Sequence, residues 1–388
     1  MAATKQDFAD SSRRPLGKLA LAAMALPGVM PQVAHAELAP EAASASLKWL
    51  KYNDSQPNLD RIHVNAVAAN VLVPLGHQWS VDGTLVKDDV SGATPRLHTD
   101  LTSASKPGSS ATATGMHDTR YEKGVKVTRY FERSAIGFGT SNSTEHDYIS
   151  NAFSLDGRLA SDDQNTTYNA GVGFSFDKID PVNKVVTNET KNSTDVMFGV
   201  TQAWSSQDLV QLNLTFKSAN GYMNDPYKMA ENRPRIRNQD IVLLRWNHHL
   251  PSRGTTVRSS YRFYSDTFGV RAHTFDLGYV MPLSDRLTVT PSGRYYAQRA
   301  ASFYFDPVAG NPYSMPTSGN YSADQRLSAF GAVTVGAKVD YVINPHWGVD
   351  FKYERYEQRS NWRVTGKGSP DLDAFSATFL QLGLNYRF

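Results

Sequence analysis

The sequence predicts an all-β fold, an antiparallel transmembrane β-barrel of about 16 strands, and three observations carry that expectation. The first is the segment Phe379-Leu380-Gln381-Leu382-Gly383-Leu384-Asn385-Tyr386-Arg387-Phe388, in which apolar and polar side chains alternate up to an aromatic residue. Successive side chains on a strand point to opposite faces, so Leu380, Leu382, Leu384, Tyr386 and Phe388 make an apolar face while Gln381, Asn385 and Arg387 make a polar one. The second is composition. The 388 residues are 11% aromatic, with 19 Tyr and 18 Phe, yet the mean hydropathy is −0.44. No internal run approaches the roughly 18 apolar residues that a membrane helix needs. Strands with one face toward lipid and one toward water average to this mixture. The third is that short and long connections take turns along the chain, the asymmetry of an outer-membrane barrel with tight periplasmic turns and long external loops.

From the N-terminus, Arg13, Arg14 and Lys18 precede an apolar run over 19–26, and Ala34-His35-Ala36 supplies small residues for cleavage. That order is a secretory signal, so residues 1–36 are expected to be removed after Ala36 and residues 37–388 to form the barrel. The apolar run is too short to span a bilayer. Ser12-Arg13-Arg14-Pro15-Leu16-Gly17-Lys18 also looks like a loose twin-arginine signal, but a barrel crosses the inner membrane unfolded and that route carries folded cargo.

From residue 43 onward, segments of about ten residues alternate in polarity between turn residues, and the helical period is missing almost everywhere. Clear strands are Trp79-Ser80-Val81-Asp82-Gly83-Thr84-Leu85, Val210-Gln211-Leu212-Asn213-Leu214-Thr215-Phe216 and Leu287-Thr288-Val289-Thr290. Short turns are expected at Pro74-Leu75-Gly76, Phe131-Glu132-Arg133, Ser161-Asp162-Asp163-Gln164, Ser205-Ser206-Gln207-Asp208, Pro251-Ser252-Arg253-Gly254, Pro282-Leu283-Ser284-Asp285 and Asn344-Pro345-His346. Longer polar segments fall between them, at 90–116, 177–193, 221–238 and 299–325, with smaller ones near 53–59, 145–147, 267–270 and 361–374. Trp79, Trp204 and Trp347 lie close to short turns, where a periplasmic aromatic girdle is expected, together with Tyr386 and Phe388. Tyr148, Phe176, Tyr222 and Phe268 are expected in the outer girdle.

Period two places Lys126, Lys217, Arg245, Arg258, Arg262, Arg294, Lys338, Lys352 and Arg387 on the lumen side, with Asp82, Glu122, Asp195, Asp276, Asp340, Asp350 and Glu354. The mixed signs argue against a single-sign ion filter. Lys338, Asp340, Lys352 and Glu354 are expected to pair across strands, and Arg258 and Arg262 to meet Asp276. A barrel of about 16 strands is wide enough for an aqueous channel unless loops plug it.

Other chemistry is thinly supported. The sequence has 0 Cys, which rules out disulfides, thiolate metal sites and Cys nucleophiles. The formal charge is +3, and the expected signal holds Lys5, Arg13, Arg14 and Lys18 against Asp7 and Asp10, so the remainder is nearly neutral and nothing suggests nucleic-acid binding. In Trp246-Asn247-His248-His249 the adjacent histidines point to opposite faces and cannot share one metal. No cofactor or metal is expected. No Gly-x-Ser-x-Gly elbow occurs, which leaves a hydrolase as a minor alternative. Three loops share Asp before Pro, at Asp180, Asp225 and Asp306, where the carboxylate caps the following turn or, as the alternative, contributes to a surface cation or ligand site.

Arg245-Trp246-Asn247-His248-His249, Tyr261-Arg262-Phe263-Tyr264-Ser265-Asp266-Thr267-Phe268-Gly269-Val270-Arg271-Ala272-His273-Thr274, Ala301-Ser302-Phe303-Tyr304-Phe305-Asp306-Pro307, Asp324-Gln325-Arg326-Leu327-Ser328-Ala329-Phe330-Gly331-Ala332 and Tyr356-Glu357-Gln358-Arg359-Ser360-Asn361-Trp362-Arg363 resemble a proteobacterial family of exported proteins classed as a domain of unknown function. The resemblance covers essentially the whole chain after the signal. It implies an outer-membrane-barrel-like protein and supplies no catalytic or ligand residues. The expected function is a non-enzymatic channel or transport conduit for a small polar solute in the bacterial outer membrane. A plugged barrel whose external loops bind a partner or surface ligand is the alternative. The partners expected are outer-membrane lipid and the barrel assembly machinery, which would read Tyr386 and Phe388 in the last strand; the oligomeric state is left open.

Overall fold

The computed structural model describes residues 39–92, 116–227, 231–306, 316, 318–370 and 372–388. The expected signal and its cleavage site at Ala36, and residues 93–115 of the expected 90–116 loop, lie outside the described residues.

The strands are β1 (Ser44–Gln56), β2 (Leu59–Leu75), β3 (Trp79–Gly92), β4 (Met116–Tyr130), β5 (Ser134–Thr144), β6 (Tyr148–Ala160), β7 (Thr166–Ile179), β8 (Glu189–Ala203), β9 (Asp208–Gly221), β10 (Glu231–Asn232), β11 (Ile236–Leu250), β12 (Thr255–Asp266), β13 (Arg271–Pro282), β14 (Leu287–Gln298), β15 (Tyr321–Ser322), β16 (Phe330–Val342), β17 (Trp347–Arg359) and β18 (Phe375–Arg387). Sixteen of them form one closed antiparallel barrel in chain order, with β1 sealed against β18 by pairing from Ser44 with Arg387 to Ser55 with Ser376. The two-residue strands β10 and β15 make a separate ladder within the long loops. Closure removes the sheet edges that an open sheet would expose. The fold class and strand count expected from the sequence are both met.

All seven short turns join strands at one end of the barrel, and their polar residues satisfy the backbone there. The Asn344 side chain accepts from the amides of His346 and Trp347 at 2.9 Å each, and Ser284 Oγ accepts from Arg286 and Leu287. Ser205 Oγ does the same for Gln207 and Asp208. Such side-chain bonds make these residues turn formers between the strands. The 53–59 segment is shorter than expected: β1 and β2 run to a two-residue tip at Pro57 and Asn58, with Asn58 at φ 58.

Residue parity fixes the two faces. Leu47, Val67, Leu85, Phe138, Leu155, Phe174, Phe198, Leu214, Leu244, Phe275, Val335, Phe351 and Leu382 are exposed large apolar side chains on the outer wall. A soluble sheet would bury such a band; a sheet in lipid presents it. The pairing rows also define height. From Lys51 the row runs through Asn65 to Asp89, from Lys87 through Tyr121 to Thr144, and so on around the wall. Stepping one residue per strand toward the short turns brings the path back to its start, so residues related by that step lie at one level of the tilted sheet.

The outer girdle differs from expectation at three positions. Phe176 does face outward. Tyr148 is on the inner face, with its hydroxyl on Asp177, because a phenol facing the lumen finds a carboxylate there. Tyr222 and Phe268 are buried beneath the long loops, Phe268 at 1% exposure at the centre of an apolar cluster.

Candidate functional site

The inner wall and the loops over its far end form the most chemically loaded region. Parity puts Lys126, Lys217, Arg245, Arg258, Arg262, Asp276, Arg294, Lys338, Asp340, Lys352, Glu354 and Arg387 on the inner face. Charges of opposite sign meet there. Lys126 reaches Asp156 at 2.6 Å, Lys217 reaches Asp195 at 3.0 Å, and Lys191 reaches Asp177 at 3.0 Å. Arg294 holds Asp276, which also accepts from Ser260, and Arg245 donates to Gln211. Arg387 occupies the inner face of β18 opposite Ser44.

Two expected pairings take another form. Lys338 stands directly opposite Lys352, and Asp340 opposite Asp350. Bonds therefore form along the strands, Lys338 with Asp340 at 2.7 Å and Lys352 with Glu354 at 3.0 Å. Residues two apart on one strand share a face and are within reach of a flexible lysine. Asp276 is engaged by Arg294, while the Arg262 guanidinium lies 5.6 Å over the Tyr264 ring.

Four inner tyrosines follow the level step, on alternate strands: Tyr264 on β12, Tyr296 on β14, Tyr356 on β17 and Tyr52 on β1. Each donates its hydroxyl to the side chain two residues nearer the long loops, respectively Asp266, Gln298, Gln358 and Asp54. They form a half-ring at one height. Loop residues, together with Phe330 and Ala332 at the start of β16, pack on it. Phe268, Val270, Ala301 and Leu327 cluster with Tyr264 and Tyr304, and Phe330, Ala332 and Leu372 with Tyr296 and Tyr356. The long loops are thus folded over the mouth on an apolar seat.

A charge network ties those loops together. Asp324 caps the 3-10 turn Gln325–Leu327 by accepting from the Arg326 amide at 2.9 Å, and it is fully buried. Its carboxylate bonds Arg233 at 2.7 Å and Arg326 Nε at 2.7 Å. Arg326 also reaches Asp225 at 3.0 Å, and Ser322 Oγ donates to Glu231 at 2.6 Å beside the β10–β15 ladder. Buried ions persist when each has a partner and further hydrogen bonds, which this set supplies to Asp324 and to the Arg233 Nη2, leaving the Arg233 Nε without a partner among the described residues. Burial alone would lower the Arg326 and Arg233 values, but Asp324, with Asp225 for Arg326 and Glu231 for Arg233, outweighs it and holds both guanidiniums above their ordinary range. On the other flank Tyr227 donates to Asp147 at 2.6 Å, and Asn183 donates to the Pro226 carbonyl at 2.8 Å. Gln56 on β1 reaches Gln325 at 3.3 Å. Contacts thus run from the β5–β6 connection through both long loops to β1. Sequence reasoning missed Asp324, Arg326, Arg233 and Glu231; only their long-range contacts mark them out.

The Asp-Pro carboxylates do not converge. Asp225 accepts from the Tyr227 amide, Asp180 pairs with Lys184 at 2.9 Å, and Asp306 accepts from the Tyr304 hydroxyl. Lys184 lies close to Asp180 and draws its carboxyl below the usual range. Asp118, Glu145 and Asp147 do gather, with one carboxylate oxygen each within 4.8 Å of the others. At the short-turn rim, Asp208 accepts from Ser205, Trp246 and the His248 ring, and His249 faces inward against Thr256. The Ser205 hydroxyl is bonded to the carboxylate and not to the imidazole, so these three residues are not arranged to activate a nucleophile.

A family model described as "Protein of unknown function (DUF3570)" matches residues 16–189 and 183–379. No curated protein matches the chain. Among solved structures, a bacterial polysaccharide outer membrane secretin is similar at TM-score 0.49 and 10% identity, covering 89% of this chain and 98% of that one. OccK9 (OpdG) from Pseudomonas aeruginosa is similar at TM-score 0.43 and 9% identity, covering 89% and 98%. The siderophore receptor PirA from Pseudomonas aeruginosa is similar at TM-score 0.46 and 9% identity, covering 90% of this chain and 66% of the receptor. At these identities the likeness is one of architecture.

Proposed function

We propose a conduit function for this chain, which belongs to the DUF3570 family of proteins of unknown function: passage of small polar solutes across the outer membrane, with the external mouth held shut by the loop clasp centred on Asp324. In this reading the short turns are periplasmic, the signal is removed near Ala36, and the assembly machinery takes up the last strand through Tyr386 and Phe388. The observation that carries it is the combination of a polar inner wall of both signs with loops that are tied to one another by ion pairs above their apolar seat. The Arg326–Asp225 arm of the clasp is partly exposed, so water competes for it and opening can begin there. Mixed signs give weak ion preference.

Planar-bilayer recording tests this. The intact barrel is expected to conduct in rare openings, and substitution at the clasp to lengthen them. Absence of conductance in both would end the conduit reading. A plugged barrel that binds a partner through the same loops is the second reading, favoured by the packed seat under Leu327 and Phe330. It predicts silence in the bilayer, with partner binding lost on loop deletion. For a hydrolase, the bonding of Ser205 to Asp208 weighs against a catalytic role.

A further inference from the structure

One level of the outer wall is chemically lopsided. Following the level step from Lys51 leads to Lys87, Asn142, Phe174, Phe216, Phe263, Tyr295, Arg355 and back to Lys51. Lys123, outward on β4, lies one residue nearer the short turns than this ring. The wall over β7, β9, β12 and β14 therefore meets the membrane at this height with aromatic rings, while the wall over β17, β1, β3 and β4 meets it with four cations.

The cations are only partly neutralised. Arg355 pairs with Glu357 and Lys87 with Asp89, both acids lying one outward position nearer the long loops. Lys51 and Lys123 are exposed and have no ion pair or hydrogen-bond partner among the described residues. Beside Lys51, where the pairing is irregular between Asn53 and Ser55, lies a recess of about 510 Å³ lined by Asn53, His63, Asn65, Arg355 and Thr378 and by two carboxylates, Asp54, which is paired with Arg61, and the exposed Asp60. Immediately toward the short turns runs an apolar row, Phe351, Leu382, Trp49 and Val67. The row of four outward cations, with amide and imidazole donors of the recess beside it and an apolar slope below, matches an anionic headgroup with its acyl chains toward the short turns. A protein partner is less suited, since the centre of the patch is charged and its exposed ring, Tyr121, is already engaged by the Lys87 ammonium 5.9 Å from its centroid.

We propose that this face holds a phosphorylated glycolipid of the surrounding membrane, its phosphates at Lys51, Lys87, Lys123 and Arg355 and its chains along Trp49, Leu382 and Phe351. The inference requires that the barrel span a membrane and is independent of conduction. The test is titration of the full-length purified barrel, in a detergent with an uncharged headgroup, with a bisphosphorylated glycolipid and with its dephosphorylated form, read by native mass spectrometry. Binding is expected for the phosphorylated lipid, weakening with salt. Lys51→Gln with Lys123→Gln removes two cations worth about 1 kcal/mol each near an anionic surface, which is about a thirtyfold loss of affinity. Lys178→Gln, outward on β7 away from this arc, is expected to leave it unchanged. Heat-dependent gel mobility reports whether each variant is folded, and the phosphate and salt dependence of the unsubstituted barrel does not rely on any variant. Equal binding of the dephosphorylated lipid, full retention by the folded double variant, or displacement by inorganic phosphate alone would each overturn the proposal.

Discussion

Asp324→Asn removes the one charge that holds both Arg233 and Arg326 while keeping shape and an oxygen for the Arg326 amide. Asp324 has 0% exposure, so water does not replace the lost carboxylate without the loops parting. Removing one partner from a buried ion pair costs roughly 3–5 kcal/mol. The lower end applies here, because Glu231 still faces Arg233 and Asp225 still faces Arg326. About 3 kcal/mol corresponds to about a hundredfold shift in a closed-to-open ratio. The effect falls on the loops and spares the wall, since the clasp residues lie outside the barrel strands. Two assays read it: open probability in a planar bilayer, and protease nicking within residues 222–235. Both are expected to rise while heat-dependent mobility still reports a folded barrel. If a folded Asp324→Asn barrel kept the parent's open probability and protease resistance, the clasp would not be what holds the mouth.

Further outcomes follow from the same geometry. Asp276→Asn leaves Arg294 without its carboxylate on the inner wall, so the reversal potential in a salt gradient is expected to move toward anion preference; an unchanged potential would place Arg294 out of the ion path. A Cβ at Gly331 would lie 2.1 Å from the Trp362 carbonyl oxygen, which accepts from the Tyr295 hydroxyl at 2.6 Å. Gly331→Ala is therefore expected to push the Ser360–Trp362 turn away at about 1–3 kcal/mol, read as a lower unfolding temperature, with an unaltered temperature counting against the contact. Burial and then Asp147 raise the Tyr227 phenol above its ordinary value, to beyond the neutral range. A group whose folded value is raised contributes fully below its unfolded value of about 10 and is lost only as pH climbs through the folded one. Protease resistance of the 222–235 loop should thus be flat between about pH 6 and 9 and fall in Tyr227→Phe; loosening of the parent within that window would contradict the assignment.

The barrel was legible because its signals are local. Alternation in Trp79 to Leu85 or Leu380 to Phe388 needs no knowledge of distant residues, and Ser205, Ser284 and Asn344 announce their turns by bonding amides two or three positions away. Parity alone divides inward from outward, so Lys126 and Asp276 were assignable to a face. What parity does not supply is register. Lys338 opposite Lys352 follows from how β16 slides against β17, and a slide of two residues would have set Lys338 against Glu354 and Asp340 against Lys352. The clasp was still less accessible, since Arg233 and Asp324 are separated by 91 positions and nothing near either foretells the other.

Height is the property that joins the two chemistries of this wall. A strand pattern states which side a residue faces, but its depth in a bilayer depends on the cumulative stagger of sixteen strands around a closed circuit. Tyr52, Tyr264, Tyr296 and Tyr356 look unrelated in the chain, and their matching hydroxyl bonds become a shelf beneath the loops only once the stagger aligns them. The same stagger aligns Lys51, Lys87 and Arg355 outside, opposite Phe174, Phe216 and Phe263. Because both arcs derive from one register, a one-residue change in any barrel pairing moves both. Disulfides therefore test the register directly. A cysteine pair at Leu47 and Leu384, directly opposed across the β1–β18 seam, is expected to cross-link. Cross-linking of Leu47 with Leu382 in preference to Leu384 would shift the seam by two residues and dissolve the tyrosine shelf and the cationic arc together.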